Sequence, residues 1–154
     1  MAFIPGAKND VFVSYAHVDN EGGATGERWV SDFVKRLEGG LRQRLGAPIS
    51  MFFDTRSFES HSHLSDLLDN ARSSAVLVVI LSPSYVNGQW TKAELEAFAA
   101  MPASEGRIFT VERLPLEGGL DAYPEAVRSL RRTPFWYRTE ESGVIDILSP
   151  TLHQ

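Results

Sequence analysis

The sequence contains no cysteine, which excludes disulfides, thiolate nucleophiles and cysteine-ligated metal sites. It also lacks an excess of positive charge, because 15 lysines and arginines stand against 20 aspartates and glutamates, for a net charge of −5. A general electrostatic surface for nucleic acids or anionic membranes is therefore not expected. No apolar run is long enough to cross a bilayer, and residues 1–10 lack the charged and apolar regions of a secretory signal. These absences favour a soluble cytoplasmic protein.

The residues that are present describe a globular chain. Of the 154 residues, 43% are hydrophobic and 23% are charged, which is close to the average for soluble domains. A chain of this length most simply forms one domain, and it is long enough to bury a sizeable core.

Strand and helix patterns alternate along the chain. Residues 75–81 form an unbroken apolar run, which is typical of a central parallel strand covered on both faces. Apolar residues at every fourth position from Trp29 to Leu45 predict a long amphipathic helix, in which Gly39 and Gly40 favour a kink or a break. The predicted strands are 10–15, 49–54, 75–81, 107–112 and 134–137, and the further predicted helices are 64–71, 91–100 and 125–132. This order predicts a flavodoxin-like α/β fold of three layers, with a five-stranded parallel sheet in the order 2-1-3-4-5 and helices on both faces.

In such a sheet the ligand site lies beyond the carboxyl ends of the first and third strands, where the strand order reverses. The loops that follow Tyr15 and Ser82 meet there. Trp90 and Glu94 come after the second loop, one helical turn apart, so an aromatic ring and a carboxylate are expected in one cleft. Thr91 and Glu94 also fit a capping box, in which Glu94 binds a free backbone N–H at the helix start. From these residues alone, both roles of Glu94 stay open.

Weaker candidate sites lie in the neighbouring loops. Backbone N–H groups of residues 22–26 could face a pyrophosphate, but the spacing matches no phosphate-binding motif, and a surface loop is the simpler interpretation. His17 with Asp19, and His61 with His63, suggest a metal site. No third ligand follows at a recognisable spacing, so no metal is expected.

Several segments, in order, resemble the motifs of one family. Residues 10–15, DVFVSY, resemble the first box of TIR (Toll/interleukin-1 receptor) domains. The pair Phe53-Asp54, the strand 75–81, PSY at 83–85 and WTKAEL at 90–95 follow in the family's order and at its approximate spacings. The resemblance covers residues 10–137 and implies the flavodoxin-like fold predicted above. It also implies a lead of residues 1–9, a TIR domain over 10–140, and a tail over 141–154 that begins a linker to a further domain.

The resemblance implies an NAD⁺ nucleosidase, of the glycohydrolase or ADP-ribosyl cyclase type, that cleaves the bond between nicotinamide and ribose. Glu94 matches the family's catalytic acid, which stands four residues after the tryptophan, and Asp54 matches the aspartate that ends the second strand. NAD⁺ is then the substrate, and neither a cofactor nor a metal is implied. The candidate substrate-binding residues are Phe12, Ser14, Tyr15, Ala16, Asp54, Ser84 and Trp90.

Residues 55–63 correspond to the family's BB loop, which contributes to self-association. Its candidate interaction residues are Arg56, Ser57, Phe58 and Glu59. Two features depart from the family pattern: the loop lacks the common glycine and proline, and Thr91 replaces the usual cysteine after the tryptophan. The partners implied are NAD⁺, other TIR domains and a C-terminal sensor domain, without direct contact to nucleic acid or membrane. The biological role implied is an effector in bacterial defence against phage.

Two other functions compete with catalysis. A non-catalytic TIR module binds other TIR surfaces through the BB loop, and loss of the acid would indicate it, but Glu94 is present. A receiver-like signalling domain shares the strand order but needs a phosphorylatable aspartate after the third strand. Ser82, Pro83 and Ser84 stand there instead.

Overall fold

A computed structural model describes residues 2–22, 28–53 and 62–150 of the chain. The predicted site residue Asp54 and the predicted loop residues Arg56, Ser57, Phe58 and Glu59 lie outside these ranges. The strands are β1 (Asn9–Ser14), β2 (Met51–Phe52), β3 (Ser74–Leu81), β4 (Ile108–Glu112), β5 (Arg132–Pro134), β6 (Trp136–Arg138) and β7 (Ile145–Ile147). The helices are α1 (Trp29–Leu45), α2 (Ser62–Arg72), α3 (Pro83–Asn87), α4 (Gln89–Ala99) and α5 (Glu125–Arg128), with 3₁₀ turns at His17–Asn20 and Gly119–Ala122.

The main sheet has five strands in the order β2-β1-β3-β4-β5, and each neighbouring pair is parallel. This confirms the predicted flavodoxin-like fold and strand order. The central pair is β1 and β3, in which Val11 lies opposite Val76 and Ser14 opposite Val79. The strand order therefore reverses at the carboxyl ends of these two strands, where a ligand site is expected.

Side-chain alternation divides the core between the two faces of the sheet. On one face, Val11 and Val13 of β1 pack with Val78 and Ile80 of β3 against α1. On the other, Phe12 packs with alternate β3 residues against α2, α3, α4 and α5; the buried side chains there include Leu67, Leu77, Val79, Leu81, Tyr85, Leu95, Phe98 and Val127. Because successive side chains of a strand point to opposite faces, Ser14 faces the same side as Phe12, toward α4.

Helix α1 is continuous from Trp29 to Leu45, so the predicted break at Gly39 and Gly40 is wrong. The two glycines cost about 2 kcal/mol relative to alanine, but the packing of the helix holds it together. Phe33 and Val34 on the preceding turns are buried against the sheet. The helix ends at Gly46, whose left-handed backbone lets its N–H bind the carbonyl of Arg42.

The carboxyl-terminal strands differ from the prediction. The edge strand of the main sheet is β5 at Arg132–Pro134, not 134–137. Trp136–Arg138 instead pairs antiparallel with Ile145–Ile147 in a separate hairpin. The edge strand tolerates Pro134 because its missing N–H would face away from β4, and the next N–H, that of Phe135, binds the carbonyl of Glu112 at 2.8 Å. Within the described residues, no helix has the length and apolar character needed to span a membrane.

Asp10 closes the amino-terminal edge of the sheet. Its carboxylate is 3% exposed and accepts hydrogen bonds from the backbone N–H groups of Phe3 and Ile4, each at 2.7 Å, and of Ser50 at 2.8 Å. Burial raises the pKa of Asp10, but these donors outweigh it and hold the pKa below its usual range. Asp10 therefore stabilises the fold at pH values above about 3.9, and this contribution is lost as the pH falls through the lowered pKa.

We expect the substitution Asp10→Ala to lower the free energy of unfolding at pH 7 by about 2 kcal/mol, because it removes the common acceptor of three part-buried backbone N–H hydrogen bonds. Urea unfolding at pH 7 and at pH 2.5 measures the effect. The difference in free energy of unfolding between variant and wild type should be smaller at the lower pH. Glu105→Gln, at an exposed position, is the matched control. A gap of equal size at both pH values would contradict the role of the ionised carboxylate.

Candidate functional site

A cleft of about 250 Å³ opens at the carboxyl edge of the sheet, at the reversal of strand order. Within the part of the chain that the structure describes, two segments line it: the one that follows β1 and the start of α4. The lining residues are Tyr15, Ala16, His17, Gly88, Gln89, Trp90, Thr91 and Glu94. The structure therefore brings together Tyr15, Ala16, Trp90 and Glu94, which the sequence analysis predicted for one site.

Glu94 does not form the capping box that its spacing from Thr91 also fits. Helix α4 begins at Gln89, with Gly88 at the capping position, so Thr91 lies inside the first turn. The Thr91 hydroxyl contacts the carbonyl oxygens of Tyr85 at 2.5 Å and of Gly88 at 3.1 Å, which fixes the junction between α3 and α4. A Cβ atom at position 88 would lie 2.5 Å from this hydroxyl, so any larger residue there would force the Thr91 side chain and its hydrogen bonds to shift.

The carboxylate of Glu94 is held by a buried chain of hydroxyl groups. Glu94 is 7% exposed, and its Oε2 accepts a hydrogen bond of 2.5 Å from Ser14 Oγ. Ser14 Oγ lies 2.8 Å from the hydroxyl of Tyr85, which is fully buried. Because a hydroxyl carries one proton, and Ser14 donates its own to Glu94, Tyr85 donates to Ser14. The Tyr85 hydroxyl also lies 3.3 Å from the carbonyl oxygen of Thr91, a second acceptor for the same proton, and Ser14 is the hydroxyl that donates directly to Glu94.

The protonation state of Tyr85 is consistent with this direction. Burial, together with the negative charge of Glu94, raises the pKa of Tyr85 above its ordinary value, against the opposing effect of the hydrogen bond with Ser14. The phenol therefore remains a donor at physiological pH. The arrangement orients one carboxylate oxygen and leaves Glu94 at the cleft surface.

The other predicted substrate-binding residues lie in different places. Phe12 is 1% exposed and stacks on Phe52 at 4.9 Å inside the core, so it lies beneath the cleft rather than on its wall. Ser14 is also buried, and its contact is with Glu94. Ser84 lies half-buried on α3, outside the residues that line the cleft.

The sequence analysis missed His17, Gly88 and Gln89 as cleft residues. His17 stacks on Tyr15 with ring centroids 5.2 Å apart, and Tyr15 contacts Phe53 at 5.1 Å. His17 was considered only as a metal ligand, although its position in the loop directly after β1 is a sufficient signal for a site at the strand reversal. Gly88 and Gln89 line the cleft because α4 begins at Gln89, two residues before the predicted start at Thr91.

Larger hollows lie elsewhere. A groove of about 700 Å³ separates α4 from the segment 121–126, and an apolar one of about 410 Å³ lies between α1 and the sheet. Among the described residues that line these two hollows, none was predicted for the site. The smaller cleft is the better candidate because it lies at the strand reversal and contains a buried carboxylate beside aromatic rings.

The fold and this cleft define a doubly wound, flavodoxin-like domain with an acidic and aromatic crevice at its switch point. Within that class, a family model for the TIR domain matches residues 11–146, and the chain belongs to this family. The predicted limits of 10–140 for the domain remain a prediction.

Solved TIR structures share the fold, among them the following two. One is the TIR domain of the Toll-related receptor TRR-2 from Hydra magnipapillata, with 18% identity, a TM-score of 0.55, and coverage of 83% of this chain and 85% of that one. The other is a metazoan TIR-STING receptor from C. gigas in complex with 2′,3′-cGAMP, with 17% identity and a TM-score of 0.61. That match covers 87% of this chain and 37% of the receptor chain. No curated protein sequence matches the chain.

Proposed function

We propose that this TIR domain is an NAD⁺ nucleosidase that cleaves the bond between nicotinamide and ribose, with Glu94 as the catalytic carboxylate. The observation that carries the proposal is the Glu94 carboxylate, oriented by Ser14 at 2.5 Å and set in a cleft with Tyr15 and Trp90. Membership of a family that includes NAD⁺-cleaving enzymes supports it. The reaction consumes no cofactor, because NAD⁺ is the substrate.

Nicotinamide in NAD⁺ is a cationic leaving group, so its departure does not need a strong acid. The bond from C1′ of the ribose to the ring nitrogen breaks, its electron pair stays on nicotinamide, and positive charge develops on the ribosyl ring. A fixed carboxylate beside that ring stabilises the developing charge more strongly in a water-poor cleft than in bulk water. Attack by water on C1′ then gives ADP-ribose and releases one proton, whereas attack by a base nitrogen of the same molecule gives a cyclic product.

The dimensions of the cleft indicate which part of the substrate it holds. A volume of about 250 Å³ falls below the range of about 300 to 1,000 Å³ that is usual for drug-sized ligands. In this proposal the cleft holds the nicotinamide riboside end of NAD⁺, and the rest of the dinucleotide extends over its rim. A second copy of the domain, assembled through the loop 55–63, would complete the binding surface. In this proposal the domain is a cytoplasmic effector that a C-terminal sensor domain clusters during phage infection.

The competing function is a TIR module that signals by binding other TIR domains without catalysis. The matched structures belong to receptors, which favours a signalling role of this kind. It makes no use of the Glu94 carboxylate, whereas catalysis requires it.

Incubation of NAD⁺ with the purified chain over a range of protein concentrations distinguishes the two functions. We expect nicotinamide to appear together with ADP-ribose or its cyclic form, separated by chromatography, and the rate per molecule to rise with concentration as copies assemble. A mock purification from cells without the chain controls for contaminating enzymes. Self-association by light scattering, with no loss of NAD⁺ at any concentration, would favour the signalling module and reject the enzyme.

A further inference from the structure

Asp19 is a buried carboxylate that the proposed reaction does not use. It belongs to the 3₁₀ turn His17–Asn20, it is 6% exposed, and it lies outside the residues that line the cleft. Burial of a carboxylate is costly unless hydrogen bonds and opposite charge compensate for the lost water. The partners of Asp19 supply both.

These partners come from the ends of two other strands. Arg113, the first residue after β4, places NH1 3.2 Å from Asp19 Oδ1, and Ser82, the first residue after β3, donates its hydroxyl hydrogen to Asp19 Oδ2. The backbone N–H of Arg113 binds the carbonyl of Leu81 at 2.9 Å, and its guanidinium lies 5.5 Å from the ring centroid of Trp29 on α1. Asp19 therefore joins the turn to β3 and β4, and through Arg113 to α1.

The other side of the turn is fixed as well. Asn20 accepts a hydrogen bond from the backbone N–H of Ser31 at 2.8 Å and donates one to the Ser31 hydroxyl at 2.9 Å. The turn begins at His17, and His17 and the preceding Ala16 both line the cleft. Displacement of the turn would therefore displace one wall of the cleft.

Ser82 extends the connection to Glu94. Its hydroxyl oxygen also accepts a hydrogen bond of 3.1 Å from the backbone N–H of Tyr85, which caps α3. Tyr85 contacts Ser14, and Ser14 donates to Glu94. The same small group of contacts thus supports both the wall and the carboxylate of the cleft.

We propose that Asp19, Ser82 and Arg113 are positioning residues that hold the wall formed by Ala16 and His17 in place for the nicotinamide riboside end of the substrate. This inference rests on the proposed function, because it assigns the residues that shape the same cleft. None of the three residues lines the cleft, so they act through the wall and through Ser14 rather than by contact with substrate.

The partners of Asp19 offset only part of the cost of burying its charge. Burial raises the pKa of Asp19 above its usual range, even though the hydrogen bond from Ser82 and the charge of Arg113 oppose the shift. The native state then binds a proton more readily than the unfolded chain, so the ionised form of Asp19 lowers stability at neutral pH. Removal of the charge relieves this cost but leaves the Arg113 guanidinium, which is 17% exposed, without the carboxylate that it pairs with.

The substitutions Asp19→Asn and Arg113→Gln test the positioning role. Asparagine keeps an acceptor for Ser82 but loses the charge that holds Arg113. We expect KM for NAD⁺ to rise about tenfold in each variant with a smaller change in kcat, because displaced binding groups weaken productive binding. Melting temperatures show how far each variant is destabilised, and KM is compared between samples of equal folded fraction. Glu21→Gln, at an exposed position beside the turn, should leave KM unchanged.

The double variant, which carries both Asp19→Asn and Arg113→Gln, tests whether the two residues act together. If Asp19 and Arg113 act as one unit, KM of the double variant should be no higher than that of either single variant, since effects within one ion pair are not additive. Wild-type KM in both single variants, in an active enzyme, would overturn the positioning role alone. A fall in kcat that follows the folded fraction, with KM unchanged, would also overturn it. An inactive wild type would overturn the proposed function and this inference together.

Discussion

Replacement of Glu94 by glutamine is expected to lower the rate of nicotinamide release by about 10²- to 10³-fold, which is the usual cost of removing an electrostatic stabiliser of a transition state. Glutamine has nearly the same shape as glutamate, and its carbonyl oxygen can still accept the hydrogen bond that Ser14 donates to Glu94. The variant therefore removes the negative charge and keeps the geometry of the cleft. Initial rates at saturating NAD⁺, with circular dichroism to show an unchanged fold, measure the effect.

Two further variants show whether the loss of rate in Glu94→Gln is specific to the charge of Glu94. Glu96→Gln is the matched control, because Glu96 lies on the same helix but is exposed, and its activity should equal that of the wild type. Ser14→Ala leaves the charge but removes the hydrogen bond that orients it, so we expect a smaller loss, about tenfold. Turnover at the wild-type rate by Glu94→Gln would remove Glu94 from the mechanism.

The central part of the fold could be predicted from the sequence because the pattern of apolar residues there matches the burial of the strands and helices. The unbroken apolar run 75–81 is compatible only with burial on both faces, and β3 is the central strand. The every-fourth-residue pattern of α1 gave its bounds, but Gly39 and Gly40 misled because helix propensity is weaker than the packing of Phe33 and Val34. Local preference yields to tertiary contact in that helix.

The carboxyl-terminal strands could not be predicted in the same way. Residues 134–137 have neither alternation nor a long apolar run, and which of them join the main sheet depends on pairing with β4 and β7. The N–H of Phe135 binds the carbonyl of Glu112, and that of Leu148 binds the carbonyl of Phe135, so the chain changes partner at this residue. Such pairing is a long-range property that short sequence windows do not contain.

The site residues show the same difference between local signals and long-range contacts. Trp90 and Glu94 could be predicted because they lie on one helical turn beside a strand reversal, which are local and topological signals. The support of Glu94 could not be predicted, since Ser14 and Tyr85 lie 71 residues apart and Ser14 and Glu94 80 apart in the sequence. Alternation along β1 predicts that Ser14 faces inward with Phe12, but it does not identify the partner.

Glu112 offers the largest expected effect on stability. It ends β4, it is 6% exposed, and its carboxylate accepts hydrogen bonds from Trp136 Nε1 at 2.7 Å and from the Tyr123 hydroxyl at 2.5 Å. Arg132 Nε lies 3.5 Å from the same group, with its guanidinium 4.0 Å from the ring centroid of Tyr123. One carboxylate thus joins β4, β5, β6 and the segment that precedes α5.

Burial is the main reason that the pKa of Tyr123 is raised above its ordinary value, with further contributions from the hydrogen bond to Glu112 and from the charge of Glu112. Tyr123 is therefore protonated, and both Tyr123 and Trp136 are donors that require an acceptor at this position. If the Glu112 carboxylate is removed, the Tyr123 hydroxyl and the Trp136 N–H lose their acceptor and Arg132 loses its ion-pair partner.

We expect Glu112→Ala to lower the free energy of unfolding by about 3 to 5 kcal/mol, the usual cost of removing one member of a buried charged network. Tyr123→Phe, which removes one hydrogen bond and keeps the ring, should cost only about 1 kcal/mol. Urea unfolding measures both, with the exposed Glu117→Ala as the control. Because Glu112 binds Tyr123, Trp136 and Phe135 rather than the turn His17–Asn20, KM per folded molecule should not change, in contrast to the substitutions at Asp19 and Arg113. A loss below about 1 kcal/mol in Glu112→Ala would show that the carboxyl-terminal strands are held mainly by apolar packing, since the donors would then find water without cost.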